Sequence, residues 1–366
     1  MLRAMMLLNK CASYDVRTWE QFETMSLPPE AFIDDSPAVW EKLEITERNK
    51  SIMERAISSD WVERELDACT RLGVRIVTCR DAEYPHSLAK TVKAPILLYV
   101  KGNMLPEEAR TVAVVGTRIC SSYGYRIAKE IGRRAADSGW NVVSGGAKGV
   151  DGAAHFGCVE AGGVTAAILG TGADVVYPSE HKDLFERILE RGALYSEYPL
   201  GSKGESWHFP KRNRIIAGLA SKVVVVEAPC RSGAMITATQ AAEEGREVWA
   251  VPGRIDDVRS EGTNRLIFDG AMPLVSLDSF FENKSGYAEG YLFDGDDESH
   301  ARPEPRDMSP EEKKILSILS IKGERTIDNL ADEAKMSAAE VFKIISVMSA
   351  QGFVFSSGPG RYSTND

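Results

Sequence analysis

The sequence lacks a basic surplus, closely spaced cysteines, a histidine-rich segment and any long apolar run. Each absence excludes something. Six cysteines (Cys11, Cys69, Cys79, Cys120, Cys158, Cys230) are scattered through 366 residues, with no C-x-x-C and none beside a histidine at zinc-binding spacing. No metal site is expected. The thiols read as small buried hydrophobes of a reducing compartment, most simply a cytoplasm. No apolar stretch approaches the roughly 20 residues of a membrane-spanning helix, so no membrane partner is expected. The opening stretch, Met1 to Lys10, is too short for a signal core and reads as the first turn of a helix. The five histidines are scattered, and neither a Walker A sequence nor a nucleophile elbow occurs. A dinucleotide fingerprint is missing as well. After the run Val112–Val115 and Gly116 it would need glycine at 118 and 121, where Arg118 and Ser121 stand. No cofactor is expected.

The formal net charge of −10 argues at first against a nucleic-acid partner. Its distribution changes the argument. Residues 285–308 hold two basic and seven acidic groups, half of the excess, whereas residues 111–284 hold 20 basic and 21 acidic. A nearly neutral segment leaves room for a local basic groove, because clusters rather than totals set the potential that a phosphate meets.

What is present is a change of pattern along the chain. Residues 1–95 read as mostly helical, with apolar residues at helical spacing up to Gly73 and then a strand in "VRIVTC". Residues 96–284 alternate strand, glycine turn and helix. The strands are "TVAVVG", "WNVVSGG", "VTAAILG", "KVVVVEA" and "EVWAVPG", short β-branched runs that suit a parallel sheet buried on both faces. The fold class is therefore α/β. Residues 285–308 are polar, acidic and rich in Gly and Pro, a flexible linker by composition. Residues 309–366 read as three helices closed by a hairpin wing, with Ser309–Glu312 and Ser337–Glu340 as capping boxes. That is a winged-helix pattern.

Ligands of such a sheet bind at the carboxyl ends of its strands, where the glycine turns lie. The first turn supplies Gly116, Thr117 and Arg118. The second, Ser144 to His155, supplies Ser144, Gly145, Gly146 and Lys148. The third runs from Gly170 to Pro178, and in the fourth Ser232 and Gly233 open a helix. Backbone N–H groups and helix N-termini at such turns bind anions. An arginine at 118 offers a fork of donors to a phosphate held away from the backbone, which suits a strand of phosphates better than a buried dinucleotide. The segment "ESWHFPKRNRIIAGLA" adds Lys211, Arg212 and Arg214 behind Trp207, His208 and Phe209, the aromatic-basic composition of a single-strand binding surface. Two alternatives stand open here: Trp207 and Phe209 stack bases or belong to the core, and Asn213 caps a helix or binds a ligand. Asp151 and His155, four residues apart at a helix start, and His208 by the basic block are the available acid–base groups. They do not form a recognisable catalytic set, so no catalytic residue is assigned.

The blocks "VAVVGTR", "SGGAKGVDGAAH", "GTGADVVYP", "FPKRNRIIAGLA", "VVVVEAPCRSGAMITA" and "GTNRLIFDGA", in this order over about residues 80 to 275, closely resemble the DNA-processing protein A family (DprA, also called Smf). The resemblance implies an extended Rossmann-like domain between a helical, SAM-like N-terminal domain and a C-terminal winged helix. It implies a homodimer that binds single-stranded DNA, protects incoming strands in natural transformation and loads the RecA recombinase. By the same resemblance Arg118, Lys148, Asn213 and Arg214, together with Ser232, Gly233, Ile236 and Thr237 of the S-G-x-x-I-T turn, are DNA-binding positions. The chain departs from the family at Ala234 and Met235, where leucine is often found. Its N-terminal region lacks paired helix-hairpin-helix glycines, and the third C-terminal helix has only Lys343 as a basic group, against Glu340. The alternative function is a nucleotide-processing enzyme of the lysine-decarboxylase-like, phosphoribohydrolase fold group. The turn "APCRSGAMIT" lacks the double glycine of those enzymes.

Overall fold

In the computed structural model, residues 1–11, 14–34, 36–282, 308–350, 353–358 and 361–364 are described. They fall into two compact units, one within Met1–Ser285 and one within Gly286–Asp366. The acidic segment 285–308, apart from Met308, lies outside the described residues, as does the tip of the C-terminal hairpin at 359–360.

The first unit begins with six helices: α1 (Leu2–Lys10), α2 (Val16–Thr24), α3 (Ala31–Asp34), α4 (Ser36–Lys42), α5 (Glu47–Ser58) and α6 (Trp61–Leu72). Side-chain caps start two of them: the Asp15 carboxylate accepts from the Arg17 N–H, and the Thr46 hydroxyl from the Asn49 N–H. Trp19, Phe22, Phe32 and Trp40 pack as an aromatic cluster at their centre. This core is not closed on itself. It continues onto Ile96, Leu97 and Tyr99, at the edge of the sheet.

The sheet has nine strands. In chain order they and their helices are β1 (Val74–Thr78), α7 (His86–Ala89), β2 (Leu97–Gly102), β3 (Thr111–Val115), α8 (Ser122–Asp137), β4 (Asn141–Ser144), α9 (Val150–Glu160), β5 (Thr165–Leu169), α10 (Lys182–Leu189), β6 (Ala193–Ser196), α11 (His208–Leu219), β7 (Lys222–Val225), α12 (Gly233–Glu243), β8 (Glu247–Ala250), α13 (Val258–Phe268), β9 (Met272–Pro273) and α14 (Leu277–Glu282). Their spatial order is β1-β2-β6-β5-β4-β3-β7-β8-β9. The strands from β6 to β9 run parallel, and β1 and β2 join antiparallel. β1 thus belongs to the sheet although it precedes residue 96. β6, β9 and the pairing of β1 with β2 add to the five parallel strands that the sequence pattern predicts.

The central strands are valine- and alanine-rich and buried along their whole length, because helices cover both faces. On one face α11 and α12 bring Ile215, Ile216 and Ala238 against Ala113, Val115 and Val223. On the other, α8, α9 and α14 bring Ile131, Val150 and Phe280 against Val112 and Val224. The helices α8 and α9 touch backbone to backbone. A Cβ on Gly132 would collide with the Ala154 carbonyl, and one on Gly157 with the Lys129 carbonyl. After β3 the chain steps outward through β4, β5 and β6, then returns to place β7 on the other side of β3. The order reverses between β3 and β7, and a crevice opens outside their carboxyl ends.

The second unit holds α15 (Pro310–Lys322), β10 (Arg325–Thr326), α16 (Ile327–Ala334), α17 (Ala338–Ala350), β11 (Phe355–Gly358) and β12 (Arg361–Ser363). Its strands form a three-stranded sheet in the order β10-β12-β11. Ile315, Leu330, Val341, Ile345 and Val354 make its core. Both capping boxes predicted from the sequence form, Ser309 with Glu312 and Ser337 with Glu340. Among the described residues, no helix is long and apolar enough to cross a membrane.

Candidate nucleic-acid interface

At the reversal point the β3 turn is tied to the β7 turn. The Thr117 N–H donates to the Glu227 carbonyl at 2.7 Å, and the Ser121 N–H to the Glu227 carboxylate at 2.8 Å. The Ser121 hydroxyl donates to the same carboxylate and caps α8 by accepting from the Gly124 N–H. With 3% exposure, Glu227 is an internal clamp. The clamp leaves Arg118 projecting outward. Among the described residues Arg118 makes no ion pair; its guanidinium carbon lies 5.2 Å from the centroid of the Phe209 ring. Tyr177, from the β5 turn, meets the same ring at 5.4 Å between centroids. Arg118, Phe209 and exposed Tyr177 form a short stack at the rim.

Two hollows adjoin this stack. A cleft follows the ends of β3 and β7, and a smaller recess lies beside the β4 and β5 turns. They share Arg118, Ala147, Tyr177, Phe209 and Arg212. Of the positions predicted from the sequence, Gly116, Thr117, Arg118, Phe209, Arg212, Asn213, Ser232, Gly233 and Thr237 line the cleft, and Gly145 and Lys148 line the recess. The structure thus brings eleven of the fifteen together; Ser144, Gly146, Lys211 and Arg214 line neither hollow.

The exceptions have a physical cause. On α11, residues 209, 212, 213 and 216 recur at helical spacing and face the cleft, so residues 211 and 214 face elsewhere. Arg214 pairs with Glu197 at 2.5 Å and Lys211 with the same carboxylate at 3.2 Å. Glu197 is almost wholly buried behind β6, so these two cations neutralise an internal charge. Burial pulls the Lys211 ammonium below its usual range against the pull of Glu197. Arg214, expected as a DNA-binding position, thus turns to Glu197 and away from the cleft that Arg118 lines. Arg212 lines the cleft but is 4% exposed. Its guanidinium donates to the Gly145 carbonyl at 2.8 Å and to the Ile168 carbonyl, joining the β4 and β5 turns. Burial lowers its pKa to about 10 despite the attraction of Asp151.

The β4 turn also differs from the open anion nest expected of it. Its Gly145 N–H donates to the Asp151 carboxylate at 3.0 Å, and the Ala147 N–H reaches the same oxygen at 3.5 Å. The turn already holds an anion, supplied by the first turn of α9. A Cβ on Gly145 would lie 2.5 Å from an Arg212 nitrogen and 2.6 Å from the Asp151 carboxylate, so any larger residue would push this pair aside. Burial raises the Asp151 carboxyl above its usual range, and Arg212 opposes the shift. Ser144 is fully buried with its hydroxyl donated to the Val114 carbonyl at 2.6 Å. Lys148 alone of this turn's polar side chains reaches outward, where it meets Glu180 at 2.5 Å.

Around the fourth turn, the Asn213 amide donates to the Gly233 carbonyl at 3.1 Å. Asn213 ties α11 to the start of α12 and still lines the cleft. The Ser232 hydroxyl oxygen is buried and has no partner among the described residues. Trp207 is 47% exposed with its indole N–H on Glu205, and Phe209 is half-buried, so neither is core. Sequence reasoning missed Tyr177, Glu180, Glu197 and Glu227. The signals were a tyrosine kept in a glycine turn and, for Glu227, an acid that ends an apolar strand; no local signal marks Glu180 or Glu197.

The sequence profile of the DNA recombination-mediator protein A family matches residues 75–285. The protein Smf of Synechocystis is 41% identical over 55% of this chain, and the match spans only 52% of that relative's length. The DNA processing protein DprA of Streptococcus pneumoniae is 44% identical over 53% of this chain and 68% of its own. The crystal structure of the pneumococcal protein superposes with a TM-score of 0.61 at 36% identity, over 67% of this chain and 85% of that one. A structure of DNA processing protein A from Helicobacter pylori, described for its single-stranded DNA binding mode, gives 0.53 at 26%, over 57% and 95%.

Proposed function

Because this chain belongs to the DNA recombination-mediator protein A family, we propose that it binds single-stranded DNA along the carboxyl edge of its sheet and passes the strand to the RecA recombinase. The observation that carries the reading is the Arg118–Phe209–Tyr177 stack at the mouth of the cleft. An unpaired guanidinium suits a phosphate, and the exposed Tyr177 ring beside half-buried Phe209 suits bases of any sequence. The single-stranded DNA binding described for the Helicobacter protein supports the same ligand.

The mode is binding without chemistry. Asp151, which lines the cleft, and Glu227, which clamps its turns, are both engaged by backbone and hydroxyl donors, which leaves them poorly placed to move a substrate proton. The proposal includes a homodimer working in the cytoplasm, protection of incoming strands in natural transformation, and a division into a helical N-terminal domain (1–95), a Rossmann-like domain (96–284), a linker (285–308) and a winged helix (309–366). In the last of these, exposed Phe342 and Val347 flank Lys343 on α17. That surface suits a protein contact better than a phosphate backbone.

Gel shifts with single- and double-stranded oligonucleotides across a salt series test the reading. Single strands should bind more tightly, with a log–log salt slope of roughly −0.7 per phosphate contact. A flat salt response, or a preference for duplex, would reject it. RecA filament formation on the bound strand tests the second half.

A further inference from the structure

Among the described residues, one cation at the recess carries its own counter-ion. Lys148 Nζ lies 2.5 Å from Glu180 Oε1, and both side chains are more than half exposed. The carboxylate is held from both sides. Three residues earlier Tyr177 packs on Phe209, and one residue later His181 Nδ1 contacts the Gly146 carbonyl at 3.0 Å. Ser179 donates to the other Glu180 oxygen at 3.2 Å. The β5 turn therefore presents an acid to the one outward cation of the β4 turn, beside the stack that receives the strand.

We propose that Glu180 is a specificity-determining residue that makes the site select a polynucleotide over single nucleotides and free phosphate; this rests on the strand-binding reading above. The Glu180 carboxylate occupies the place a phosphate oxygen would take on Lys148. An isolated phosphate must displace it from bulk solution. A strand already anchored at Arg118 and Phe209 delivers its next phosphate at a high effective concentration, so it displaces the carboxylate readily. The pairing is suited to exchange because an exposed ion pair is worth little in itself. Lys148 first of all lowers the Glu180 carboxyl to about 2, as expected of a carboxylate held on a cation.

The test compares wild type, Glu180→Gln, Lys148→Ala and the double variant for binding of a labelled oligothymidylate, and of thymidine monophosphate and inorganic phosphate as competitors. Glu180→Gln should tighten the oligomer by up to about fivefold, and should tighten the monophosphate by a larger factor, so that discrimination falls. On the Lys148→Ala background the substitution should have no effect. If wild type binds the strand and Lys148→Ala weakens it while Glu180→Gln leaves affinity and discrimination unchanged, the inference fails and strand binding stands. If wild type binds no strand, both fail.

Discussion

Arg118 and Arg212 illustrate how two arginines in one site take opposite tasks. Arg118 is stacked on Phe209 at the surface, and its loss removes nothing from the interior. Arg118→Ala should keep its melting temperature and lose strand affinity, as measured by gel shift. Phe209→Ala should lose on the order of 1–3 kcal/mol of binding, the usual worth of one base stacked on an aromatic. Arg212 is the reverse case. Its substitution by Met would strip the donors from two buried carbonyls and the compensating charge from Asp151. Each buried carbonyl left without its donor costs about 1–3 kcal/mol, so thermal melting should show a large fall. Because the folded-state pKa of Asp151 is raised, the native state holds its proton at higher pH than the unfolded chain. Stability from this group therefore falls as pH rises through the carboxylate range, and Arg212→Met should deepen that fall. His155 acts the other way. Burial lowers its pKa to about 3 from an ordinary 6.5. The unfolded chain takes up a proton below about 6.5 that the folded chain refuses, so melting temperature should drop as pH falls from there toward 3. These residues also mark what the sequence could disclose. The alternation of β-branched runs and glycine turns exposed Arg118, Lys148 and Ser232 as edge residues. Nothing in the string "KRNR" separated the buried guanidinium from the paired ones, because that depends on which face of a helix meets a buried acid contributed by another element.

At the scale of elements, α11 is the part most worth testing. One of its faces lines the cleft and another neutralises Glu197. Arg214→Ala should lower the melting temperature while the folded fraction binds DNA as before, in contrast to Arg118→Ala. A matched loss of affinity would return Arg214 to the binding surface. The α8–α9 contact gives a second measurement. Gly157→Ala drives a methyl group into the Lys129 carbonyl, and overpacking of this kind costs about 1–3 kcal/mol, to be read from denaturant unfolding with no change in the binding site. The parallel strands were legible because a strand covered on both faces needs an unbroken apolar run. β9, two residues long, and β6, with a serine and a tyrosine in four residues, carry too little of that pattern to be read.

For the whole molecule, every residue of the cleft and recess comes from the unit within Met1–Ser285. The second unit has its own core and its own sheet. A chain ending at residue 285 should therefore keep its affinity for single strands, and a loss of affinity beyond a fewfold would place part of the ligand path elsewhere. The N-terminal helices are a different matter. They share a core with β2, so their removal should cost solubility and stability before it touches binding. The composition shift at 285 made the first division readable, whereas the continuity of helices with sheet edge is a matter of packing that no local signal announces.

The carboxylate of Asp151 inside the β4 turn has a practical corollary for chemical probes. A receptor that is already filled from within offers no vacancy to phosphate mimics, so sulfonates or bisphosphonates built to enter that turn would meet a tenant they have no means of evicting. Compounds meant to block the protein should be flat, electron-rich and directed at the outer shelf of Tyr177 and Phe209, with an acidic tail reaching Arg118.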